Sequence, residues 1–368
     1  MEIYLNKRAV VFCVLLLVIL SLLYSTTFHA PFNFDDEVVI KFEVVQKGAH
    51  DWFGKLYPPK YRHLFYSSLI FNYSKGQLNP FGYHLVNTSL HFFTSIVIFF
   101  IAFITIKKGL SLNKKEALSI AGITTLLFSI NPVHSETVNY ISARAVGLSS
   151  FFYLSALLSF ILGSFRERKP LPRFLLYVST LICFLASILS KETALTFPIV
   201  LLLYDVCFMR NDYWAPLKNR LLFFYLPLFL CAILAVLKIL SFKDLIVDFW
   251  QRINVGYGLK QIQIIGHGAR LILLPIGLTF DYDFPNTFFA TNTLLITTFL
   301  FALGIILTIA LYFPKRLMLV SFCFFWFLIT LAPTNSIFPR ADLLSERNLY
   351  LPSFGILFLL AITIHRLV

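Results

Sequence analysis

Apolar residues run together along this chain in blocks that approach or reach the length needed to cross a hydrocarbon layer of roughly 30 Å. Polar residues gather between the blocks. The blocks fall near 9–27, 83–106, 117–131, 146–165, 174–190, 194–209, 221–240, 293–313, 317–333 and 349–365. Several hold only about 15–17 residues, the short end of what spans a bilayer. The pattern predicts an all-α polytopic membrane protein, a bundle of about ten transmembrane helices forming one domain over 1–368. The first block follows Lys7 and Arg8, as a secretory signal would. Its apolar core is longer than a signal's and no small-x-small cleavage site follows, so it reads as an uncleaved anchor.

Composition agrees with the pattern. Of 368 residues, 58% are hydrophobic and 13% charged, whereas soluble domains carry about 25% charged residues. Basic residues then orient the bundle, because short cytoplasmic loops collect Lys and Arg. With the N-terminus inside, the inner loops hold Lys107, Lys108, Lys114 and Lys115, then Arg166, Arg168, Lys169 and Arg173. Arg210, Lys218 and Arg220 follow, then Lys315 and Arg316, and finally Arg366. Both termini are therefore expected in the cytoplasm. Asp35, Asp36, Glu37, Glu136, Glu192, Asp281, Asp283, Asp342 and Glu346 all fall on the outer side. The formal net charge of +13 is largely this topology signal and does not point to nucleic acid. The five cysteines, Cys13, Cys183, Cys207, Cys231 and Cys323, lie in spans or at a span end, which disfavours a disulfide framework. No CxxC, Walker or GxGxxG pattern occurs.

Polar chemistry concentrates in the outer loops. Two are long, about 28–82 and about 241–292, and loops of that length usually carry function or their own structure. The first opens with "FNFDDEVVI", in which adjacent carboxylates oppose one another's ionisation unless water, a cation or a reacting group offsets them. It continues through Trp52 and "PPKYRHLFYSSLIF", aromatic enough for short helices in the membrane interface. In the second loop Lys260, Gln263, His267 and Arg270 recur at helical spacing and align on one face. Such a stripe suits a phosphate, on a substrate or on bulk lipid headgroups.

Shorter segments add to this. If "NPVHSETVNYISARAVG" is helical, Glu136, Tyr140 and Arg144 share a face. Lys191 and Glu192 stand between two apolar runs and, taken alone, read as a salt bridge that packs the bundle. Glu346, Arg347 and Tyr350 open the last span. Ionisable groups at membrane depth commonly line a cavity or a substrate path.

Six segments in order, "FNFDDEVVI", "YRHLFYSSLIFNYSKGQLNPFGYHLVNTSLH", "NPVHSETVNYISARAVG", "LSKETALTFPIVLLLYD", "LLPIGLTFDYDFP" and "SERNLYLPSFG", carry a family resemblance. From about 28 to 360 the chain resembles the membrane region of the transmembrane and tetratricopeptide-repeat-containing O-mannosyltransferases. That group belongs to the GT-C superfamily, membrane glycosyltransferases that use polyprenyl-phosphate sugars. The resemblance implies a GT-C-type bundle that moves a sugar, with mannose expected, from a polyprenyl-phosphate donor to a hydroxyl acceptor outside the cytoplasm. It places the chain in the cytoplasmic membrane of a prokaryote or the endoplasmic reticulum of a eukaryote, among membrane lipids. The repeats that follow the membrane region in that family are not found in this chain. It is accordingly expected to stand alone, to work with an acceptor-binding partner, or to be a fragment. His63 stands where the pattern leads one to expect Pro, which loosens the assignment of Arg62.

The resemblance also assigns roles. Asp35 and Asp36 occupy the place of an acidic pair, with Asp35 the expected general base and Asp36 shaping the site. Glu136, with His134 beside it in sequence, is the second acidic element. Asp36 and Glu136 are also the candidate ligands of a divalent cation, Mg²⁺ or Mn²⁺. The departing lipid phosphate requires positive charge, for which Arg62, Arg144, Lys260, Arg270 and Arg347 are candidates. Lys191, Glu192, His267, Glu346 and Tyr350 complete the expected substrate-binding set. Two other classes compete: a transporter or flippase, which would show paired repeats and mid-span charges, and a non-catalytic polyprenyl-lipid-binding assembly factor.

Overall fold

The computed structural model describes residues 7–42, 45–46, 62–209, 220–226, 228–230, 233–234, 237, 255–284, 315–337, 339–340 and 342–367. The span expected at 293–313, part of that at 221–240, and the residues Trp52, Lys238, Arg210, Lys218 and Cys231 lie outside the described residues. Every regular element described is helical.

Helix α1 (Lys7–Leu23) is the first apolar run. Outer loop one then supplies two helices, α2 (Asp35–Lys41) and α3 (His63–Gly76). Long α4 (Pro80–Ile104) starts where Asn79 accepts the Phe81 N–H and Pro80 opens the first turn. A reciprocal capping box between Asn113 and Glu116 starts α5 (Lys114–Ile130). After a 3₁₀ turn comes the five-residue α6 (Ser135–Asn139), part of a segment bent 52° from α5. A second 3₁₀ turn, Ile141–Ala143, leads into α7 (Arg144–Gly163). Helices α8 (Pro170–Ser190) and α9 (Phe197–Phe208) follow, then α10 (Val255–Leu273) from outer loop two. Two more, α11 (Lys315–Leu331) and α12 (Ser353–Leu367), complete the described set.

Among the described residues three helical stretches are long and apolar enough to cross a membrane, Pro80–Gly109, Ile141–Gly163 and Pro170–Ser190. Lys114–Ile130 with Pro132–Asn139 makes a fourth if the bent pair is one span. Helix α8 exposes Leu171, Phe174, Leu175, Ile182, Leu185 and Leu189, a surface suited to lipid tails and costly in water.

Small residues let the helices approach, as membrane packing requires. Ser187 donates to the Ser149 carbonyl at 2.7 Å across α7 and α8. Gly355 on α12 faces the Cys323 carbonyl of α11 so closely that a Cβ would lie 2.6 Å from it. Larger side chains fill the common core, among them Trp326, Tyr204, Phe160 and Phe354. At the end of α9, buried Asp205 accepts two hydrogen bonds from Arg220, at 2.6 and 2.8 Å, and one from Tyr225 at 2.7 Å. That charge is neutralised by its ion pair with Arg220.

Candidate functional site

The acidic pair divides its labour. Phe34 takes a left-handed φ of 50°, costly for a residue with a Cβ, and α2 begins at the next residue. Asp36 turns inward and is buried. It accepts hydrogen bonds from Ser142 N–H at 2.7 Å, Ser142 O–H at 2.6 Å and Ile141 N–H at 3.3 Å. Those N–H groups open the 3₁₀ turn before α7 and have no partner within it, so Asp36 fixes where α7 begins. Burial raises its pKa even against these bonds. Asp35 instead lines a cavity, and its backbone N–H meets the Tyr140 hydroxyl at 3.2 Å.

Asp35 lines a cavity of about 360 Å³ together with Arg62, Lys191, Arg340 and Arg347. Arg62, in the left-handed region at φ 69°, holds Glu192 bidentately at 2.8 and 3.1 Å. Burial pushes the Glu192 carboxyl up, but the guanidinium outweighs it and holds it at about 2. Lys191 ends α8 in extended conformation and sends its ammonium to Asn348 Oδ1 at 2.9 Å. Burial pulls that ammonium down to about 7, opposed by Glu192 and reinforced by the three neighbouring arginines. Arg347 pairs with Glu136 at 3.3 Å and Asp342 at 3.4 Å, over the Tyr140 ring. The expected Lys191–Glu192 bridge is thus corrected: the extended backbone splits the two side chains between Asn348 and Arg62. A cluster of cations facing one carboxylate can hold a phosphate and receive a proton beside it.

A second cavity, about 310 Å³, lies against the first. Phe34, Tyr140, Phe280, Glu136 and Glu346 line it. Glu346 accepts from the Thr279 N–H at 2.8 Å and the Tyr282 hydroxyl at 2.6 Å. Burial raises its pKa. Glu136 accepts from the Ser345 hydroxyl and, at 2.8 Å, from the Arg347 N–H. The single helix expected through Glu136, Tyr140 and Arg144 is broken instead: Tyr140 is extended, so Glu136 and Tyr140 reach this cavity while Arg144 does not.

Arg144 is fully buried and makes five hydrogen bonds, to Asn87, Asn72, Tyr83 and twice to Ser68. Its donors tie α3 and α4 to α7 and are not offered to a substrate. His134 and Tyr350 are likewise core residues: His134 bonds the Phe128 carbonyl and Ser353, and Tyr350 bonds His91 at 2.7 Å. The stripe on α10 also parts from expectation. That helix packs through Gln261, Ile264 and Gly268, with Gln263 buried too. Lys260, His267 and Arg270 line neither cavity; His267 sits against Tyr282 and Phe284, and Arg270 donates to the Ile276 carbonyl. The two metal candidates, Asp36 and Glu136, are engaged by protein donors. Among the described residues no group of three His, Cys, Asp or Glu side chains meets as a metal site.

The sequence reading missed Arg340 and the aromatic pair Phe34–Phe280. Arg340 could have been found, since it stands seven residues before Arg347 in the same outer segment. The aromatic pair joins two loops far apart in sequence and left no local signal.

No family model and no solved structure matches the chain. Curated relatives do. Mouse "Protein O-mannosyl-transferase TMTC3" is 26% identical over 337 residues, covering 82% of this chain and 35% of the relative. "Protein O-mannosyl-transferase F38B6.6" of Caenorhabditis elegans is 27% identical over 391 aligned positions, 96% of this chain and 51% of the relative. Mouse "Protein O-mannosyl-transferase TMTC2" is 31% identical over 201 residues, 50% of this chain and 22% of the relative. The chain thus spans about half or less of the length of these relatives. Its homologues are the transmembrane, tetratricopeptide-repeat-containing O-mannosyl-transferases that the six segments resemble.

Proposed function

We propose that this protein is a membrane mannosyltransferase that moves mannose from a polyprenyl-phosphate donor to a hydroxyl of a protein acceptor. In this reading it is a GT-C-type bundle of about ten spans with both termini cytoplasmic and the site outside. The names of its homologues support mannosyl transfer to protein. The observation that carries the donor class is the cavity in which Asp35 faces Arg62, Lys191, Arg340 and Arg347.

The cations hold the donor phosphate and take up charge as it leaves. The acceptor oxygen attacks the anomeric carbon, and its proton passes to the Asp35 carboxylate. The carbon–oxygen bond to phosphate breaks, its electron pair leaving on the lipid phosphate, and attack from the opposite face inverts the sugar. Asp36 serves by holding the start of α7, not by chemistry.

Membranes containing wild type or Asp35→Asn, supplied with radiolabelled polyprenyl-phosphate mannose and cell protein, test this. Transfer by the variant should fall about a hundredfold or more at equal expression. Equal transfer would remove Asp35 as base. If label never leaves the lipid in wild type, the protein binds or moves polyprenyl lipids instead.

A further inference from the structure

The second cavity has no part in holding phosphate, and its chemistry is the reverse of the first. Glu136 and Glu346 line it, and among the described residues no lysine or arginine does. Glu136 is paired with Arg347, whereas Glu346 accepts from the neutral Thr279 N–H and Tyr282 hydroxyl, so it is Glu346 that disfavours a phosphate here and favours a neutral or cationic group.

Its rim is aromatic and exposed. Phe34 and Phe280 stack at 4.3 Å with 10° between their planes, and Tyr140 meets Phe280 edge-on at 5.2 Å. Phe34 is 68% and Phe280 41% exposed. Two large rings left open to solvent, one of them on a strained backbone, are costly unless something covers them. Stacking uses one face of each ring, and the exposed remainder of Phe34 and Phe280 is open to an apolar side chain. At about 310 Å³ the cavity is at the small end of ligand pockets, enough for a few side-chain groups.

Its position completes the argument. Phe34 in this cavity precedes Asp35 in the other. Tyr140 lines this one and accepts the Asp35 N–H. Glu136 here pairs with Arg347 there. Consecutive residues Phe34 and Asp35 thus line different cavities, and Asp35 stands at their boundary. Displacement needs nucleophile and leaving group on opposite sides of the reacting carbon, which two cavities flanking one carboxylate supply.

We infer that the cavity of Phe34, Phe280, Glu136 and Glu346 binds the acceptor, a peptide whose hydroxyl residue is flanked by neutral or basic side chains. The inference rests on the proposed transfer to a protein hydroxyl. The test uses the purified full chain, fluorescent threonine peptides flanked by lysine or by glutamate, and the variants Phe280→Ala and Glu346→Gln. Anisotropy reads peptide binding without turnover, and radiolabelled donor reads transfer. Lysine-flanked peptide should bind at least about tenfold more tightly than its glutamate counterpart. Phe280→Ala should weaken it about tenfold with donor KM unchanged, and Glu346→Gln should narrow the charge preference. If wild type transfers mannose but neither substitution moves peptide binding or peptide KM, the acceptor site is elsewhere and the transferase reading stands. Binding that Phe280→Ala abolishes, without any transfer, keeps the peptide site and overturns the transferase reading. A chain that neither binds peptide nor transfers loses both.

Discussion

Two cavities share a wall in this protein and have opposite character. One is lined by Arg62, Lys191, Arg340 and Arg347 together with Asp35; the other by Glu136 and Glu346 together with the exposed rings of Phe34 and Phe280. Arg347 belongs to the first and pairs across the wall with Glu136 of the second. Net charge says nothing of this, since +13 is a sum over the whole chain. Opposite local fields a few residues apart are what a two-substrate transfer needs, one side attracting a phosphate and the other rejecting it.

The contrast breaks most severely at Arg347. Arg347→Gln removes a cation from the first cavity and leaves Glu136 buried without its ion pair. The kcat/KM for donor should fall about a hundredfold, and lysine-flanked peptides should bind no worse. Arg347→Lys should restore part of the donor term only.

Lys191 gives a smaller and pH-dependent effect. Lys191→Met should raise donor KM about tenfold at pH 6. Because burial holds the ammonium at about 7, wild-type donor affinity should fall as pH rises through that value, while the Met variant stays flat. Stability runs the opposite way. The folded pKa is below the unfolded value of about 10.4, so between these the unfolded chain holds more protons and stability rises with pH. The destabilisation is complete below about 7. Thermal melts of wild type against Lys191→Met, taken at pH 6 and pH 10, should converge at the higher pH.

Glu192→Gln should be mildest. Its pair with Arg62 is exposed at both ends, and such pairs contribute about 0.2–1 kcal/mol. The melting point should barely move, and Arg62, released from its partner, should leave donor KM unchanged or lower it by about threefold at most. A large loss would mean that Glu192 holds Arg62 in place and that the cation cluster is less autonomous than its geometry suggests.

The homologous class, the apolar helices and the loops that carry the site were all legible. Hydropathy and Lys/Arg placement act locally, and each segment declares them by itself. Asp35 was legible too, as an acid beside a span. Arg144 shows where that kind of reading stops. It shared a nominal helix face with Glu136, yet the extended Tyr140 and the cap from Asp36 turn it into a pocket made by Asn72, Asn87, Ser68 and Tyr83. Lys260, His267 and Arg270 stop short in the same way, because α10 packs through Gln261, Ile264 and Gly268 and leaves the stripe outside both cavities.

What the sequence by itself determined is which solvent each segment requires: lipid for the apolar helices, water or a polar cleft for the acids and bases between them. Burial of apolar surface depends on composition and spacing, and both are written along the chain. Only the tertiary structure decided which charges face one another. A buried ion is tolerated according to the donors and acceptors within a few ångströms of it, and those come from other segments, 57 residues away for Arg144 and Asn87 and 157 for Lys191 and Asn348. Lys191 and Glu192 are neighbours in the chain, and it is Asn348 and Arg62 that hold them.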